Sequence, residues 1–439
     1  MLRRTFAGMV CAGLIAGASV PAAHANGRPP GTSTITFRQN DDQHVVAGMT
    51  FGLVVSADGG ATWHWMCERA IQYGGIFDPV YVATRDGHVF ATTPDTLQGN
   101  LTGCEFEPTA LGTKVVSTLA LGPDNAVYAA AADPADSRIY KSTDGGVTFP
   151  GEANPGQAGD WWSGLGVAPS DAQRVYLAGH RLVGGTRTQL LFRSDDGGAT
   201  FDPLPMTGIA TTEQSEMEVV GIKQDDPDTV YLRVTKQSAG AVSDAIYRST
   251  DGGMAWTMIL SKPDTLSFLV RANGDLVAVA DAGGMFVSTA PSNGAAWTTL
   301  SPPLTANCVE ETEDGEVWVC TQNLGPEDAA IMKSRDLMTW TTVLRYQDVD
   351  GPVDCPVGTL QRDLCVEQRL VTTCATEWCC LRAQLGITAD PTMCPADVIP
   401  DYAQPPEGDG CCQSGVATGP TTAALLTMGL WLVGRRRRR

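Results

Sequence analysis

The sequence predicts an all-β protein: a seven-bladed β-propeller, followed by a small cysteine-rich module and a terminal transmembrane segment. A glycine-containing turn motif recurs along the chain, apolar anchor residues repeat at a similar spacing, and helical periodicity is nearly absent from residues 31–347. The 439 residues include 48 glycines and 27 prolines, and 43% are hydrophobic, which suits a folded, turn-rich chain. A β-sandwich that carries the same turns is the alternative architecture.

The recurring motif has the form Ser-x-Asp-Gly-Gly-x-Thr, followed by an aromatic residue. In such a turn the short acidic and hydroxyl side chains bind backbone amides, and the paired glycines permit positive φ. The closing aromatic residue supplies apolar surface to the blade. A decayed copy spans Ser288 to Trp297. The other copies place the structural positions at Ser56, Asp58, Trp63, Ser142, Asp144, Phe149, Ser194, Asp196, Phe201, Ser249, Asp251, Trp256, Ser334, Asp336 and Trp340.

This motif resembles the Asp-box, or BNR repeat, of β-propellers in the sialidase and sortilin-like superfamily. The group includes sialidases, xyloglucan-cleaving glycosidases, sortilin-like receptors and photosystem assembly factors, so the resemblance implies a fold and no single activity. A calcium loop is the rival interpretation of the acidic turns. The spaced ligand series and the later bidentate glutamate of such a loop are absent from the motif. We therefore expect structural turns, no metal and no cofactor.

Seven anchor residues, each expected in the second strand of a hairpin, give the number of blades. Successive anchors lie 35 to 55 residues apart, which is enough for about four short strands per unit. Either Ser33–Phe37 or Thr341–Leu344 is expected to complete the last blade, so that the closed ring leaves no long unpaired edge. The anchors are Val46, Tyr81, Tyr128, Tyr176, Tyr231, Val277 and Trp318.

The N-terminus has the pattern of an export signal. Two arginines precede an apolar run, and small residues then lead to Ala25, which fits a signal-peptidase site. We therefore predict a signal peptide over residues 1–25 and an exported propeller over residues 26–348.

The C-terminus combines a cysteine pair, an apolar run over residues 417–434 and five arginines over residues 435–439. A helix of 18 residues spans about 27 Å, barely enough for a bilayer core, and the arginines favour a cytoplasmic end. These features in order resemble the myxobacterial C-terminal sorting signal, MYXO-CTERM. The resemblance implies processing at Cys411 or Cys412 and anchoring at the cell surface, with residues 401–416 as the spacer that carries the motif.

The remaining cysteines are expected to form disulfides in an exported chain. Cys308 and Cys320 flank a hairpin turn symmetrically and should face one another across adjacent strands. Cys67 and Cys104 follow the first two boxes and are candidates for linking neighbouring blades. A module over residues 349–400, with a connectivity that the sequence does not determine and with zinc as the rival interpretation, contains Cys355, Cys365, Cys374, Cys379, Cys380 and Cys394.

The predicted function is a non-catalytic binding module for a protein or glycan at the cell surface. A net charge of −19 argues against nucleic acid as the partner. The alternative is a sialidase-like or other glycoside hydrolase, although no catalytic acids stand out from the turn aspartates. Candidate binding residues lie on the face opposite the boxes, where the two indoles either contact a ligand or pack in the core: Asp160, Trp161, Trp162, His180, Arg181 and Arg187.

Overall fold

The computed structural model describes residues 29–74, 77–132, 137–238, 241–280, 284–290, 294–301, 304–323, 325–368 and 376–387. Within them the chain forms seven sheets, each built on four consecutive antiparallel strands, and the first sheet has a fifth strand from the C-terminal side. Buried apolar residues, mostly in the first three strands of each sheet, supply the surfaces that pack one sheet against the next.

Each sheet is one blade, and the strands of a blade run outward from the centre in sequence order. Blade 1 comprises β1 (Thr32–Arg38), β2 (Asp41–Met49), β3 (Gly52–Ser56) and β4 (His64–Met66), followed by the short helix α1 (Glu68–Ile71). Blade 2 comprises β5 (Tyr81–Ala83), β6 (Val89–Thr92), β7 (Leu97–Asn100) and β8 (Glu107–Pro108). Blade 3 comprises β9 (Val116–Leu121), β10 (Val127–Ala131), β11 (Ile139–Ser142) and β12 (Gly151–Ala153). Blade 4 comprises β13 (Trp161–Ala168), β14 (Asp171–Val183), β15 (Thr186–Ser194) and β16 (Asp202–Pro203).

The remaining three blades repeat this arrangement. Blade 5 comprises β17 (Glu216–Lys223), β18 (Asp226–Ser238), β19 (Ala241–Ser249) and β20 (Thr257–Lys262). Blade 6 comprises β21 (Thr265–Val270), β22 (Leu276–Ala280), β23 (Gly284–Ser288) and β24 (Thr298–Thr299). Blade 7 comprises β25 (Ala306–Glu311), β26 (Val317–Thr321), β27 (Ile331–Ser334) and β28 (Thr341–Leu344).

The blades close into a ring. The innermost strand of each blade contacts that of the next, and β25 of blade 7 contacts β1 of blade 1. The all-β, seven-bladed propeller predicted from the sequence is therefore confirmed. Thr341–Leu344 completes blade 7 as β28, whereas Ser33–Phe37 belongs to the inner strand of blade 1.

The anchor residues connect neighbouring blades. Six of the seven lie in the second strand of their blade, as predicted, but Tyr81 lies in the first strand of blade 2. The Tyr128 hydroxyl donates to the backbone oxygen of Gly197 at 3.0 Å, and the Tyr176 hydroxyl donates to that of Pro227 at 2.8 Å. Each of these two tyrosines therefore packs in one blade and bonds the next.

The turn that follows the third strand has the hydrogen bonds expected of the motif. In blade 3 the Ser142 hydroxyl donates to Asp144 at 2.7 Å and accepts the Gly146 amide at 2.8 Å, while the Thr148 amide donates to Asp144 at 2.9 Å. Equivalent bonds join Ser56 to Asp58 and Ser194 to Asp196. Hydrogen bonds from the side chain and amide of Thr148 lower the pKa of Asp144 to about 2. The carboxylates of these turns are thus used within the turns themselves.

The residues after blade 7 lie against blades 1 and 2. They include a 3₁₀ turn (Tyr346–Asp348), a short strand β29 (Gly351–Pro352) that pairs in parallel with β4, a π-helical segment (Gln361–Glu367) and the helix α2 (Glu377–Leu385). We use the name latch segment for residues 345–368 and 376–387.

The disulfides correct one prediction and confirm another. Cys308 and Cys320 are bonded across β25 and β26, as predicted. Cys67 and Cys104 do not link neighbouring blades: Cys67 is bonded to Cys365, and Cys104 to Cys355.

The expected module over residues 349–400 is therefore not closed upon itself, because two of its cysteines are bonded to the propeller. Cys379 and Cys380 are disulfide-bonded as well. Cys374 and Cys394 lie outside the described residues.

The predicted signal peptide, spacer, membrane span and arginine cluster fall outside the described residues. In the part of the chain that is described, no helix combines the length and apolar character needed to cross a membrane.

Candidate functional site

The two faces of the ring differ in their turns. The boxes and the turns between first and second strands share one face, because the first and third strands of a blade run in the same direction. The other face, called here the open face, carries the turns between second and third strands and the connections between blades. The expected loops 178–189 and 235–245 are long β-hairpins at this face: β14–β15 and β18–β19.

One edge of the blade 4 hairpin is fixed by a buried ion pair. The Asp160 carboxylate is fully buried, accepts the Gln157 amide at 2.7 Å, and binds the Arg181 guanidinium through two hydrogen bonds of 2.6 and 2.7 Å. Such a two-point contact fixes both side chains. Trp162 is fully buried and packs edge-on against Phe192, with ring centroids 6.1 Å apart. Trp162 thus leaves no ring face for a ligand, whereas Trp161 is half-buried at the start of β13.

The opposite side of the hairpin faces blade 5. The buried Gln189 side chain donates to the backbone oxygen of Ser215 at 2.6 Å, and the Arg187 amide donates to that of Glu213 at 2.9 Å. His180 is buried beside them, and burial together with the Arg187 charge lowers its pKa to about 4. Its imidazole is therefore neutral at neutral pH. The six residues predicted from the sequence thus divide between the two sides of one hairpin.

A pair of glutamates lies next to this hairpin. Glu216 and Glu218 begin β17, the inner strand of blade 5, and their side chains are 25% and 37% exposed. The Arg187 guanidinium lies 3.5 Å from the Glu216 carboxylate, and Glu218 forms an ion pair with Arg233. Because residues two apart on a strand share a face, both carboxylates project to the same side of blade 5.

The environments of the two carboxylates differ. Burial raises the pKa of Glu216, and the neighbouring Glu218 raises it further, against an opposing effect of Arg187. Glu218 instead has its charge balanced by Arg233, whose guanidinium also donates to the backbone oxygens of Thr265 at 2.8 Å and Leu266 at 2.9 Å. Burial thus raises the pKa of Glu216 although Arg187 lies beside it, and Glu218 is held in an ion pair with Arg233.

Other acids with raised pKa values do not form a comparable pair. Desolvation by the surrounding residues raises the pKa of Glu310, on the inner strand of blade 7, to about 7, although this residue has an exposed surface. The adjacent Glu311 is bonded to Arg271 at 2.7 Å, and strand alternation directs it to the other side of the sheet. Asp244 is buried and accepts the Thr265 amide at 3.0 Å.

Sequence reasoning missed Glu216 and Glu218. Their signal is a Glu-Met-Glu alternation at the start of a strand that follows an enlarged hairpin. This pattern is also that of an ordinary half-buried strand, so only the surrounding charges distinguish it.

Among the described residues the side chains of Cys67, Cys365 and Glu377 form one grouping of potential metal ligands. The two cysteines are bonded to each other, so their sulfurs are already engaged.

Comparison with known proteins gives relatives of low identity. No protein-family model matches the chain. A xyloglucanase from Paenibacillus sp. is 27% identical over 281 residues, which covers 54% of this chain and 27% of that protein. The xyloglucanase Xgh74A from Acetivibrio thermocellus is 26% identical over 243 residues, covering 53% of this chain and 26% of that protein. The chain therefore spans about a quarter of the length of these curated relatives.

Solved structures agree on the fold. An ancestral GH74 enzyme superposes with a TM-score of 0.54 at 13% identity, covering 74% of this chain and 47% of that one. At this identity the likeness shows the propeller fold alone.

These relatives correct the predicted function. The interpretation as a non-catalytic binding module is contradicted, because the curated sequence relatives are named for a glycoside hydrolase activity. The alternative drawn from the sequence, a glycoside hydrolase, agrees better with them. The chain is a seven-bladed β-propeller with structural neighbours among GH74 enzymes and related propellers.

Proposed function

We propose that this chain is a glycoside hydrolase that acts on a β-glucan such as xyloglucan, with its site at the start of β17. The observation that carries the proposal is the pair Glu216 and Glu218, two carboxylates on one side of a strand, each beside an arginine, of which Glu216 has a pKa raised by burial. Glycoside hydrolysis requires one carboxyl group that donates a proton and another that acts as base or nucleophile. The names of the sequence relatives supply the substrate class.

The environments assign the roles. Glu216, whose pKa is raised by burial, is assigned as the group that donates a proton to the leaving oxygen of the glycosidic bond. Glu218, which is ion-paired with Arg233, is assigned as the group that accepts a proton from the attacking water. Arg187 neutralises the charge that Glu216 acquires after the transfer.

The spacing suggests the stereochemical outcome. Side chains two residues apart on a strand are about 6.6 Å apart at their origins. Carboxyl groups about 6.5–9.5 Å apart leave room for a water molecule between the sugar and the base, which gives inversion at the anomeric carbon. Because the backbone spacing lies in this range, we propose a single-displacement, inverting reaction, which the configuration of the first product tests.

The test is an activity assay on the full chain with its disulfides intact. We expect reducing ends to be released from xyloglucan and ¹H NMR to detect the inverted anomer first. A mixed-linkage β-glucan and sialyllactose serve as alternative substrates. Turnover of sialyllactose alone would shift the assignment to a sialidase, and no release from any substrate would overturn the proposal.

The sequence signals at the ends of the chain support a second part of the proposal. We infer that the boxes make this an Asp-box propeller, with residues 1–25 as export signal, residues 26–348 as propeller and residues 349–400 as cysteine-rich region. Residues 401–416 are the spacer with a MYXO-CTERM-like cysteine motif, residues 417–434 the membrane anchor and residues 435–439 the cytoplasmic arginines. The partner at the cell surface is then the glycan substrate, with the membrane holding the tail.

The anchor predicts where the protein is retained. Replacing both Cys411 and Cys412 by alanine should move most of the chain from the cell envelope into the medium, because processing requires one of the thiols. Immunoblots of envelope and medium fractions measure the ratio. The Cys308→Ala/Cys320→Ala chain is the matched control, since it removes two cysteines far from the tail. Unchanged retention of the first variant would remove the sorting interpretation.

A further inference from the structure

Among the described residues, none of the four antiparallel strands of blade 7 or of blade 1 is supplied by the other end of the chain. Blade 7 takes all four strands from residues 306–344, and blade 1 takes its four antiparallel strands from residues 32–66. The contacts across the seam between blades 7 and 1 include the Phe37 ring of blade 1, which packs edge-on against Trp318 of blade 7 with ring centroids 5.2 Å apart. They also include the Glu313 amide, which donates to the Asp42 carboxylate at 2.8 Å. Contacts of this kind can separate without breaking a sheet, so an element that bridges the seam would add resistance to opening.

The latch segment crosses this seam. The Tyr346 and Thr32 hydroxyls are hydrogen-bonded at 3.0 Å, immediately after blade 7 ends. Asp350 then binds both backbone groups of Trp63: its carboxylate accepts the Trp63 amide at 2.8 Å, and its amide donates to the Trp63 oxygen at 2.9 Å. The strand β29 continues along β4 and covers the outer edge of blade 1.

The contact continues into the π-helical segment through a buried side chain. Gln361 is 0% exposed, donates to the Trp65 oxygen at 2.9 Å and accepts the Cys67 amide at 3.0 Å. The side-chain amide of Gln361 thus bonds backbone groups at the edge of blade 1 that a further strand would otherwise bond. Trp378 of α2 packs on Trp65, with ring centroids 5.4 Å apart.

Two disulfides make the attachment covalent. Cys67–Cys365 joins residues 298 positions apart and Cys104–Cys355 joins residues 251 positions apart, so each bond encloses most of the ring. The first is tied to blade 1 and the second to the end of blade 2. Opening the seam would require these bonds to break or the outer parts of blades 1 and 2 to unfold.

We infer that residues 345–368 and 376–387 are a covalent latch, which closes the propeller in place of strand exchange. The latch holds the end of blade 7 against blades 1 and 2, and it covers the edge strand β4. Cys308–Cys320, by contrast, lies within blade 7 and does not cross the seam. This difference gives the inference a matched control in the same chain.

The first test compares hydrogen–deuterium exchange in three full-length proteins: wild type, a latch variant and a control. The latch variant is Cys67→Ser/Cys104→Ser/Cys355→Ser/Cys365→Ser, and the control is Cys308→Ser/Cys320→Ser. We expect amides of β1, β4 and β28 to exchange at least tenfold faster in the latch variant, and those of blade 4 less than twofold faster. Equal acceleration in all blades, or none at the seam, would contradict the latch.

The second test opens the same bonds after folding, in case the variant does not fold. With dithiothreitol each disulfide accepts two electrons and two protons and becomes two thiols, while the reagent closes to its cyclic disulfide. Cys104 is half-buried and Cys67 and Cys365 are fully buried, so alkylation followed by mass spectrometry should label Cys104 and Cys355 first.

Once both latch disulfides are reduced in the native chain, hydrogen–deuterium exchange of the amides of β1, β4 and β28 should become at least tenfold faster. A reduced chain with unchanged seam exchange would show that non-covalent contacts alone close the ring, and the inference would be wrong.

Discussion

Replacing Glu216 by glutamine is expected to reduce the rate of xyloglucan hydrolysis by about 10²–10⁴-fold, the usual contribution of a general acid. Glutamine keeps the size of the side chain but cannot donate the proton that the leaving oxygen needs. Glu218→Gln is expected to cause a loss of similar size, because the attacking water then lacks its base. Initial rates of reducing-end release at saturating xyloglucan measure both effects.

Glu213→Gln is the matched control for this prediction. Glu213 lies three residues before Glu216, its side chain is exposed, and its backbone oxygen alone contacts Arg187. We expect its activity to stay within twofold of wild type. Equal losses in all three variants would indicate a general effect of charge on this face and not acid–base catalysis.

The pH profile provides a second readout of the same assignment. A general acid must be protonated, so activity should fall as the pH rises through the raised pKa of Glu216. Arg187 lowers that pKa in the wild-type protein. In Arg187→Met the fall should therefore move to higher pH. A profile with the same alkaline limb in both proteins would show that Glu216 is not the titrating group.

The propeller could be predicted from the sequence because its blades repeat the same local chemistry. A serine, an aspartate and two glycines make a turn by themselves, and so the hydrogen bonds of Ser142 and Asp144 follow from residues within seven positions. Blade 2 lacks the motif at this turn, where Asn100 instead accepts the amides of Thr102 and Gly103. The anchor Tyr81 was assigned to the wrong strand there, because no box fixed the register.

The cysteine pairing was only partly predictable. Cys308 and Cys320 flank a short hairpin, so local register brings them together. Cys67 and Cys104 meet partners that are 298 and 251 positions away, and only closure of the ring places those partners beside them. Pairing across such distances leaves no local pattern in the sequence.

The candidate site also depends on contacts between residues that are far apart in the sequence. His180 and Arg187 were selected from an enlarged loop, which is the β14–β15 hairpin, and Asp160 was selected from the connection between blades, where it binds Arg181 of that hairpin. Glu216 lies in the next blade and becomes distinctive only through its burial and the Arg187 charge from blade 4. Sequence reasoning found the hairpin, whereas the carboxylates beside it depend on how two blades pack.

Gly146→Ala is expected to destabilise the propeller by about 2–5 kcal/mol. Gly146 has φ of +84°, and an added Cβ would lie 2.0 Å from the ring of the buried Phe90 in blade 2. The left-handed backbone costs a non-glycine residue about 1–2 kcal/mol, and overpacking a core adds about 1–3 kcal/mol. Urea unfolding of the wild-type and variant proteins, with the disulfides intact, measures the total loss in the free energy of unfolding through the shift of the midpoint.

Gly185→Ala separates the two contributions. Gly185 has φ of +88°, almost the same backbone conformation, but an added Cβ would meet no atom within 4 Å. Gly185→Ala should therefore lower the free energy of unfolding only by the cost of the left-handed backbone, about 1–2 kcal/mol. In a double-mutant cycle, Phe90→Leu should reduce the additional loss of Gly146→Ala, because the smaller side chain leaves room for the methyl group. Equal losses for the two alanine variants would mean that the box glycine does not pack tightly against the preceding blade, and the contact between blades 2 and 3 would need another explanation.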